Sequence, residues 1–506
     1  MEINLSGVNV PTKVLNELLS EIYPDEKELY EPKLTPLIIA AASARISRDP
    51  RSIEKLIDEA IKDIPKAKKS AQDIAFGMGH HSIADHVLFN FSIENVSRLA
   101  IEAIEERRIG AGYTEKSQRY ITLDGDFVTP EEFSEKDKER FTELVQLQNK
   151  TYFELKDKIL ENLKQESQNS KLRDLEGKAK EDARYVLSLA TEGQLTCSYD
   201  GEAVEHAIRT MRYSGLIEVK NISKELEKAV EDYKEIVQLV DPETFKRLNN
   251  GKEPEELNFK FTKKNLALLA ERTFQTIHPS SFSMPIKEKL GNVNLLQDFG
   301  QDRNITAALL YANSKKDIIS CYNVAKTLLN NPSKSKEFMK EALKYLSEFD
   351  KVPREFEVGN WIFEADISSS CFAQLKRHRM ATLLKQDYNL DLGVVIPDSI
   401  LNVKGEEKFR NIIQDSSDLY TEFLPKYGAA AEYCLTNAHK RRVLFSLNTR
   451  ELYHFSRTRE DNHAQWEIRK LANNMCALAK NQMPITTILL GGKHEFDSLR
   501  KEIYGS

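Results

Sequence analysis

Chemically useful side chains concentrate in residues 371–386, CFAQLKRHRMATLLKQ. This stretch places Gln374, Arg377, His378 and Arg379 near the end of a predicted helix, which follows a short predicted strand, NWIFEADI. Residues three and four apart share a helical face, so Gln374, Arg377 and His378 are expected to point in one direction. Two guanidiniums and an imidazole suit a bound polyanion, because arginine binds phosphate or carboxylate through paired hydrogen bonds. A solvated basic helix end is the simpler interpretation of this stretch by itself.

Composition limits the classes of protein to consider. The chain has 506 residues, 40% hydrophobic and 30% charged, which is ordinary for a globular protein with room for two or more domains. A net charge of −6 disfavours a general nucleic-acid-binding or membrane-surface protein. The five cysteines form no CxxC pair, so no disulfide framework or cysteine zinc site is predicted. No long apolar run and no signal-peptide pattern is present, which predicts a cytoplasmic protein.

Two diverged copies of one region are present in the chain. HVLFNFSI (86–93) and WIFEADI (361–367) each alternate apolar residues with period two before a helical pattern, which predicts a strand followed by a helix. Two further pairs match in the same order, residues 34–47 with 308–320 and residues 200–222 with 447–471. The last of these pairs aligns Arg212 with Arg459. Such matches in one order at similar offsets predict a tandem duplication.

The predicted domains are a first copy at 1–240, a helical linker at 241–290 and a second copy at 291–506. Residues 241–257 are polar, with Asn-Asn-Gly and a proline, and are the best linker candidate. Mixed strand and helix patterns in each copy predict an α/β (α+β) fold. In the second copy, Asn448 and the following glutamate form a capping-box-like helix start. Leu452, Phe455 and Trp466 are expected on that helix.

Several motifs resemble those of the flavin-dependent thymidylate synthases. These motifs are RHR (377–379) with the distal SLNTRELYHFSRTREDNHAQWEIRKLA, GHHSIADHVLFNF (79–91) and SQRY (117–120). The resemblance spans most of both copies, so the chain resembles two fused protomers. It implies that each copy is an antiparallel sheet surrounded by helices.

Neither copy keeps the whole family signature, which is RHR, seven residues, then Ser-x-Arg-Tyr. The second copy keeps RHR but has Asp387 in place of the serine, and it has Glu432 where the first copy has Arg184. The first copy keeps SQRY but reads Glu105-Glu106-Arg107 upstream. In the family, a homotetramer assembles each active site from neighbouring subunits, and the losses here separate along that division. The resemblance therefore predicts one composite site built from both copies.

The same resemblance implies a role for individual residues. The expected FAD-binding residues are Arg377, His378, Arg379, Asn448, Arg450, His454, His80, Ser82 and Glu115. The expected dUMP-binding residues are Gln374, Arg377, Ser117, Arg119, Tyr120, Arg184 and Arg459. Arg459 would lie against the uracil ring and act catalytically, because a guanidinium there stabilises charge that develops on the ring. Arginines with a hydroxyl group suit a dianionic phosphate.

The implied reaction is the reductive methylation of dUMP to dTMP, with FAD as cofactor and NADPH and methylenetetrahydrofolate as co-substrates. The implied assembly is a homodimer that mimics the family tetramer, with no nucleic-acid or membrane partner. No GxGxxG motif is present, so FAD is not expected to bind in Rossmann style. No metal is expected, because the spacing of His80, His81 and His86 lacks a further patterned ligand. The alternative is a catalytically silent or repurposed flavin- or nucleotide-binding homologue, motivated by Asp387 and Glu105-Glu106.

Overall fold

The structure is a computed structural model that describes most of the chain. The described ranges are 81–119, 125–166, 171–212, 214–231, 259–276, 288–298, 301–348 and 350–505, with a few positions between 43 and 66. The predicted linker at 241–257 and nearly all of residues 34–47 lie outside the described part. Within it, no helix is both long and apolar enough to cross a membrane.

The N-terminal unit contains a three-stranded antiparallel sheet in the order β1-β3-β2. Its strands are β1 (Leu88–Ser97), β2 (Ala111–Glu115) and β3 (Glu192–Asp200). Its helices are α1 (Arg98–Ile104), α2 (Glu135–Glu166), α3 (Leu172–Ala183), α4 (Gly201–Arg212) and α5 (Ile217–Ala229). A further helix, α6 (Phe259–Thr276), lies in the segment predicted as a helical linker.

The C-terminal unit contains a five-stranded antiparallel sheet in the order β4-β5-β6-β8-β7. Its strands are β4 (Glu288–Leu290), β5 (Val293–Asp298), β6 (Asn360–Ser368), β7 (Thr382–Lys385) and β8 (Lys440–Asn448). Its helices are α7 (Gln301–Ala312), α8 (Ile318–Leu329), α9 (Pro332–Leu343), α10 (Ser369–Leu375), α11 (Asp398–Asn402), α12 (Glu406–Tyr427), α13 (Thr449–Arg459), α14 (Trp466–Gln482) and α15 (Phe496–Tyr504). The mixed fold with antiparallel sheets confirms the predicted fold class.

The two sheets share a common plan, because β1-β3-β2 corresponds to β6-β8-β7. Ser97 ends β1 and caps α1, and Ser368 ends β6 and caps α10; each hydroxyl accepts a backbone N–H at 3.0 Å. Asp200 and Asn448 cap α4 and α13 in the same way, at 2.7 and 2.8 Å. These side chains satisfy N–H groups that a helix start leaves unpaired, and they fix where each helix begins.

The units join through reciprocal backbone contacts. The N–H of Leu189 donates to the carbonyl of Leu435 at 2.9 Å, and the N–H of Asn437 donates to the carbonyl of Leu187 at 3.0 Å. Each residue of one pair lies 248 positions from its counterpart in the other. The junction therefore has approximate two-fold symmetry within one chain.

Apolar packing also crosses this junction. Phe133 and Phe141 of the N-terminal unit belong to the same buried cluster as Phe423 on α12. The rings of Phe133 and Phe423 meet edge to face, with centroids 4.9 Å apart. Fully burying an aromatic side chain contributes about 1.5–3 kcal/mol, so the shared cluster holds the units together firmly enough to support a site between them.

Two local expectations are wrong. Trp466 does not share a helix with Leu452 and Phe455, because α13 ends at Arg459 and Gln465 caps a new helix, α14, by accepting the N–H groups of its first turn. Arg212 is not the counterpart of Arg459. The equivalent caps of α4 and α13 place Met211 there instead.

Candidate functional site

The arginine turn (residues 376–381) connects α10 to β7 and presents the RHR sequence. Helix α10 ends at Leu375, whose carbonyl accepts the N–H of His378 at 3.0 Å. Every residue of α10 except Gln374 is buried, so the helix is anchored in the core and the turn is held at its end. The turn faces β2 of the N-terminal unit.

Arg377 reaches across the junction to two carboxylates. Its Nη2 lies 2.9 Å from Oε1 of Glu115, and its Nη1 lies 3.3 Å from Oε1 of Glu105. The other oxygen of Glu115 pairs with Arg98 at 2.9 Å. Burial alone would raise the pKa of Glu115, but the positive charges of Arg98, Lys376 and Arg377 outweigh it and lower that pKa to about 2. Arg377 and Glu115, both expected to bind FAD, are therefore in direct contact across the junction.

Arg379 is exposed, and its guanidinium donates to the backbone carbonyl of Ala111 on β2. Arg108, at the corresponding position of the N-terminal unit, donates to the backbone carbonyl of Ala381. These matching contacts link Arg379 to β2 and Arg108 to the residue that precedes β7, so they join the two units. The structure therefore gives Arg379 a contact between the units, in addition to the cofactor role expected of it.

Arg459 lies beside the arginine turn and points its guanidinium into the junction. Its Nε donates to Nε2 of His378 at 2.9 Å, and its Nη2 donates to the carbonyl of Gln374 at 3.0 Å. Burial, with added repulsion from Arg377 and Arg119, lowers the pKa of Arg459 to about 10, which still leaves it charged near pH 7. Three residues expected to share a site, Gln374, His378 and Arg459, are in direct contact.

A buried chain of hydrogen bonds supports Gln374. Its Nε2 lies 3.5 Å from Oε1 of Gln465, whose own Nε2 donates to the hydroxyl of Tyr185 at 2.8 Å. The Tyr185 hydroxyl donates to Glu467 at 2.5 Å, and that carboxylate also accepts the hydroxyl of Ser368 at 2.5 Å. The chain includes residues from both units, so the position of Gln374 depends on their packing.

Ser117, Arg119 and Arg184 of the N-terminal unit lie on the other side of the junction. The hydroxyl of Ser117 accepts the N–H of Arg119 at 3.2 Å, and Arg119 donates to Glu181 and to the carbonyl of His463. Arg184 is 5% exposed, and its Nε and Nη2 have no hydrogen-bond partner among the described residues. Burial, together with the charges of Arg119 and Arg98, lowers the pKa of Arg184.

Among the described residues of this site, the cations outnumber the carboxylates that pair with them. The cations are Arg98, Arg119, Arg184, Lys376, Arg377 and Arg459, and the carboxylates that pair with them are Glu105, Glu115 and Glu181. Because a buried guanidinium without a partner is costly, the arrangement suits an anionic ligand.

The symmetry-related location has acidic groups at two positions that are polar or basic in the first location. From the registers of β2 and β7, Asp387 occupies the position that corresponds to Ser117, and Glu432 occupies the position that corresponds to Arg184. Burial raises the pKa of Glu432 to about 7. The charge of Arg441 opposes this increase, and the negative charges of Asp387 and Glu102 add to it. A phosphate at this location would meet acids in place of arginine and serine.

Several expected residues have other contacts. Arg450 donates to the carbonyl of Val352 at 2.9 Å and pairs with Glu357 at 2.9 Å. Asn448 caps α13, while the exposed His454 lies with its ring centroid 5.5 Å from that of His378. His80 and Tyr120 lie outside the described residues, as do the side chains of His81 and Ser82.

The described residues include a group with metal-ligand chemistry. One ligand atom each from His378, Glu451 and His454 lies within 4.8 Å of the others. This group was not predicted from the sequence, because Glu451 was interpreted only as part of a helix start. Sequence reasoning missed the contacts made by three residues, Arg98, Tyr185 and Glu451. Each depends on a partner far away in the chain.

Comparisons with known proteins identify the sequences that this chain resembles. A sequence model of the thymidylate synthase complementing protein family matches residues 30–243 and 295–485. A UPF0159 protein of Thermoplasma acidophilum is 24% identical over 446 residues, which cover 80% of this chain and 85% of that protein. A UPF0159 protein of Chlamydia muridarum is 23% identical over 437 residues, covering 81% and 78%. A flavin-dependent thymidylate synthase of Clostridium tetani is 31% identical over 188 residues, covering 36% and 72%.

Proposed function

We propose an activity from one premise: the chain belongs to the thymidylate synthase complementing protein family. The proposed activity is that of a flavin-dependent thymidylate synthase, which converts dUMP to dTMP with methylenetetrahydrofolate and NADPH. A tandem duplication would place the parts of one composite site in a single chain. The C-terminal unit would supply the arginine turn, and the N-terminal unit would supply Ser117, Arg119 and Arg184.

One observation carries this proposal: Nε and Nη2 of Arg184 have no hydrogen-bond partner among the described residues. Arg184 is 5% exposed. Burying such a charge costs free energy unless a ligand supplies the missing hydrogen-bond acceptors. A phosphate group offers oxygens for several charge-assisted hydrogen bonds. Arg184, with Arg119 and Ser117 nearby, is therefore proposed to bind the phosphate of dUMP, and Tyr120 is proposed beside them from the sequence motif.

Gln374 and Arg459 are proposed to bind the uracil ring. The guanidinium of Arg459 is already oriented by His378 and by the carbonyl of Gln374. A preoriented cation stabilises negative charge that develops on the ring without having to move during the reaction. The amide of Gln374 presents donor and acceptor groups that match a uracil edge.

The donor groups near the arginine turn fit a flavin dinucleotide. Arg377 and Arg450 are each anchored to a carboxylate, yet their side chains remain 29% and 31% exposed. Anchored, accessible guanidiniums suit a pyrophosphate. We propose that FAD is held by these two arginines together with His378, Arg379, Asn448, His454, Glu115, His80 and Ser82. When bound and reduced, the flavin would supply the hydride chemistry.

A silent or repurposed nucleotide-binding homologue is the second candidate. The observation that favours it is that Asp387 and Glu432 occupy the positions that correspond to Ser117 and Arg184 of the other half. In addition, the relatives that match about 80% of the chain carry the name UPF0159 protein, which states no activity.

A visible absorption spectrum of the purified protein, titrated with dUMP, tests the proposal. Flavin bands that shift on addition of dUMP, followed by dTMP formation with NADPH and methylenetetrahydrofolate, are expected. Flavin binding without dTMP formation would favour the silent homologue. A colourless protein that takes up neither added FAD nor dUMP would refute both candidates.

A further inference from the structure

Glu451 is linked to Arg459 through the ring of His378. Nδ1 of His378 lies 3.1 Å from Oε1 of Glu451, and Nε2 lies 2.9 Å from Nε of Arg459. His378 is 4% exposed, and the edge of its ring packs against Phe455 with centroids 4.8 Å apart. Both ring nitrogens are therefore committed to protein partners.

The partners determine where the imidazole carries its proton. A guanidinium has only N–H donors, so Nε2 of His378 must accept the hydrogen bond from Arg459. Burial and then the charge of Arg459 lower the pKa of His378 to about 3, so the ring is neutral near pH 7. A neutral ring with an accepting Nε2 carries its proton on Nδ1, and this N–H donates to Glu451.

Glu451 is itself held in place. It lies in the first turn of α13, where its backbone N–H donates to Oδ1 of Asn448 at 2.8 Å. Its side chain turns to His378, whereas in a capping box a glutamate at this position returns to the cap backbone. The capping interaction and the contact with His378 thus use different groups of Glu451.

Arg459 is restrained at two of its three guanidinium nitrogens. Nε contacts His378 and Nη2 contacts the carbonyl of Gln374, while Nη1 makes no hydrogen bond to the described residues. Any change in the ring of His378 therefore alters the direction in which Nη1 is presented to a ligand.

The N-terminal unit has none of these three groups. Ala203 corresponds to Glu451, Arg107 to His378 and Met211 to Arg459, from the matching strands and helix caps. The link is present only beside the half of the junction proposed to bind nucleobase.

We propose that Glu451 is a positioning residue that fixes the Nδ1–H tautomer of His378 and thereby the orientation of Arg459. The inference rests on the proposed function for its ligand, the uracil ring of dUMP. Groups that support a functional side chain from behind commonly change its performance as much as direct contacts do.

A metal ion on His378, Glu451 and His454 is incompatible with this arrangement. Coordination by Nδ1 requires its lone pair, which moves the ring proton to Nε2 and breaks the hydrogen bond with Arg459. The two uses of the same side chains therefore exclude each other and can be separated by experiment.

The first test observes the ring nitrogens of His378 by NMR in the full chain labelled with ¹⁵N-histidine, with His378→Asn to assign the signals. The native protein and Glu451→Gln are expected to show the Nδ1–H tautomer, because the amide oxygen still accepts. Glu451→Ala removes the acceptor of the Nδ1–H and leaves only the contact with Arg459 to favour this tautomer, so part of the protein is expected to carry the proton on Nε2 and to lose the hydrogen bond from Arg459. An Nε2–H tautomer in the native protein would overturn the proposal, as would a zinc titration that shifts these signals and is abolished by His454→Ala.

The second test measures dUMP affinity by calorimetry. Glu451→Ala is expected to weaken dUMP binding about tenfold, the effect of one hydrogen bond to a charged group, and Glu451→Gln to restore most of it. Inorganic phosphate should bind with unchanged affinity, because Glu451 acts on the nucleobase end. Glu202→Gln, in the first turn of α4 and 56% exposed, is the matched control and should bind dUMP normally.

The two ideas fail in different ways. If the native protein binds no dUMP, the proposed function fails, whereas the tautomer of His378 still tests the link to Glu451. If dUMP binds and Glu451→Ala leaves both its affinity and the tautomer unchanged, the positioning role alone is wrong.

Discussion

Glu105 and Lys376 occupy corresponding positions of the two units, and their side chains pair with each other at 2.9 Å. Each follows its capped helix, α1 or α10, and the two residues are 271 positions apart. In a symmetric dimer of identical chains, a residue near the two-fold axis faces its own copy, so a charge there is repelled. In one chain the two positions can differ, and here they carry opposite charges.

Loss of this pair should destabilise the junction. The side chains of Glu105 and Lys376 are 2% and 7% exposed, so Glu105→Gln leaves a buried ammonium without its partner and also removes one of the two carboxylates that Arg377 contacts. We expect the free energy of unfolding in urea to fall by about 3 kcal/mol. The double variant with Lys376→Met should recover part of this loss, because the isolated charge is gone.

The matched control is Lys344→Met, which removes an exposed pair with Glu341 and should change the free energy of unfolding by less than about 1 kcal/mol. Equal effects of the buried and exposed substitutions would contradict the assignment of the Glu105–Lys376 pair to the core of the junction.

Arg184→Met should separate ligand binding from stability. Without the guanidinium, dUMP binding should weaken about tenfold to a hundredfold, because a charge-assisted hydrogen bond to phosphate is lost. The ligand-free variant should unfold at a higher temperature than the native protein, since an incompletely paired buried charge is removed. Arg212→Met, which removes a surface pair with Glu227, should leave dUMP affinity unchanged. Native dUMP affinity in Arg184→Met would exclude the phosphate role.

Glu432 should make stability depend on pH. Its pKa is raised from 4.5 to about 7, with burial as the largest cause, so between these values the folded chain keeps a proton that the unfolded chain releases. The contribution of Glu432 to stability therefore falls as pH rises from about 4.5 to 7 and is constant above that.

Glu432→Gln removes this dependence. The free energy of unfolding in urea should be measured for Glu432→Gln and for the native protein. The value for the variant minus the native value should increase from pH 5 to pH 7.5. A difference that stays constant over that range would show that Glu432 is ionised normally in the folded state. Glu407→Gln, in the first turn of α12, provides the control for a neutral change at a helix start.

Co-expression of two defective chains tests whether the site forms within one chain. Arg119→Ala damages the N-terminal half of the site, and Arg377→Ala damages the C-terminal half. Because Arg377 contacts Glu115 of its own chain, neither chain should repair the other, and the mixture should remain inactive. Recovery of a sizeable fraction of native dTMP formation would mean that the halves combine across two chains.

Local patterns predicted the elements that carry the site. Alternation over 361–367 predicted β6, observed at Asn360–Ser368, because one face of the strand is buried and side chains alternate between faces. Asn448 was predicted as a helix start and does cap α13. The family resemblance and the separate losses in the two copies predicted Arg377 and Glu115 in one composite site, but not their direct ion pair.

Long-range partners could not be predicted in this way. Glu451 contacts His378, and Arg450 contacts Glu357, because the folded chain brings distant segments together. The sequence comparison aligned Arg459 with Arg212, one residue away from its counterpart Met211. The caps of α4 and α13 establish the correct alignment. The break before Trp466 was missed because Gln465 is an uncommon helix cap.

The most direct test of the central claim is the number of FAD and dUMP molecules bound per chain, from the flavin absorbance and a calorimetric dUMP titration of the same sample. One composite site predicts one FAD and one dUMP per chain, since the symmetry-related location offers Asp387 and Glu432 in place of Ser117 and Arg184. Two of each per chain would contradict the account, because both locations would then be functional.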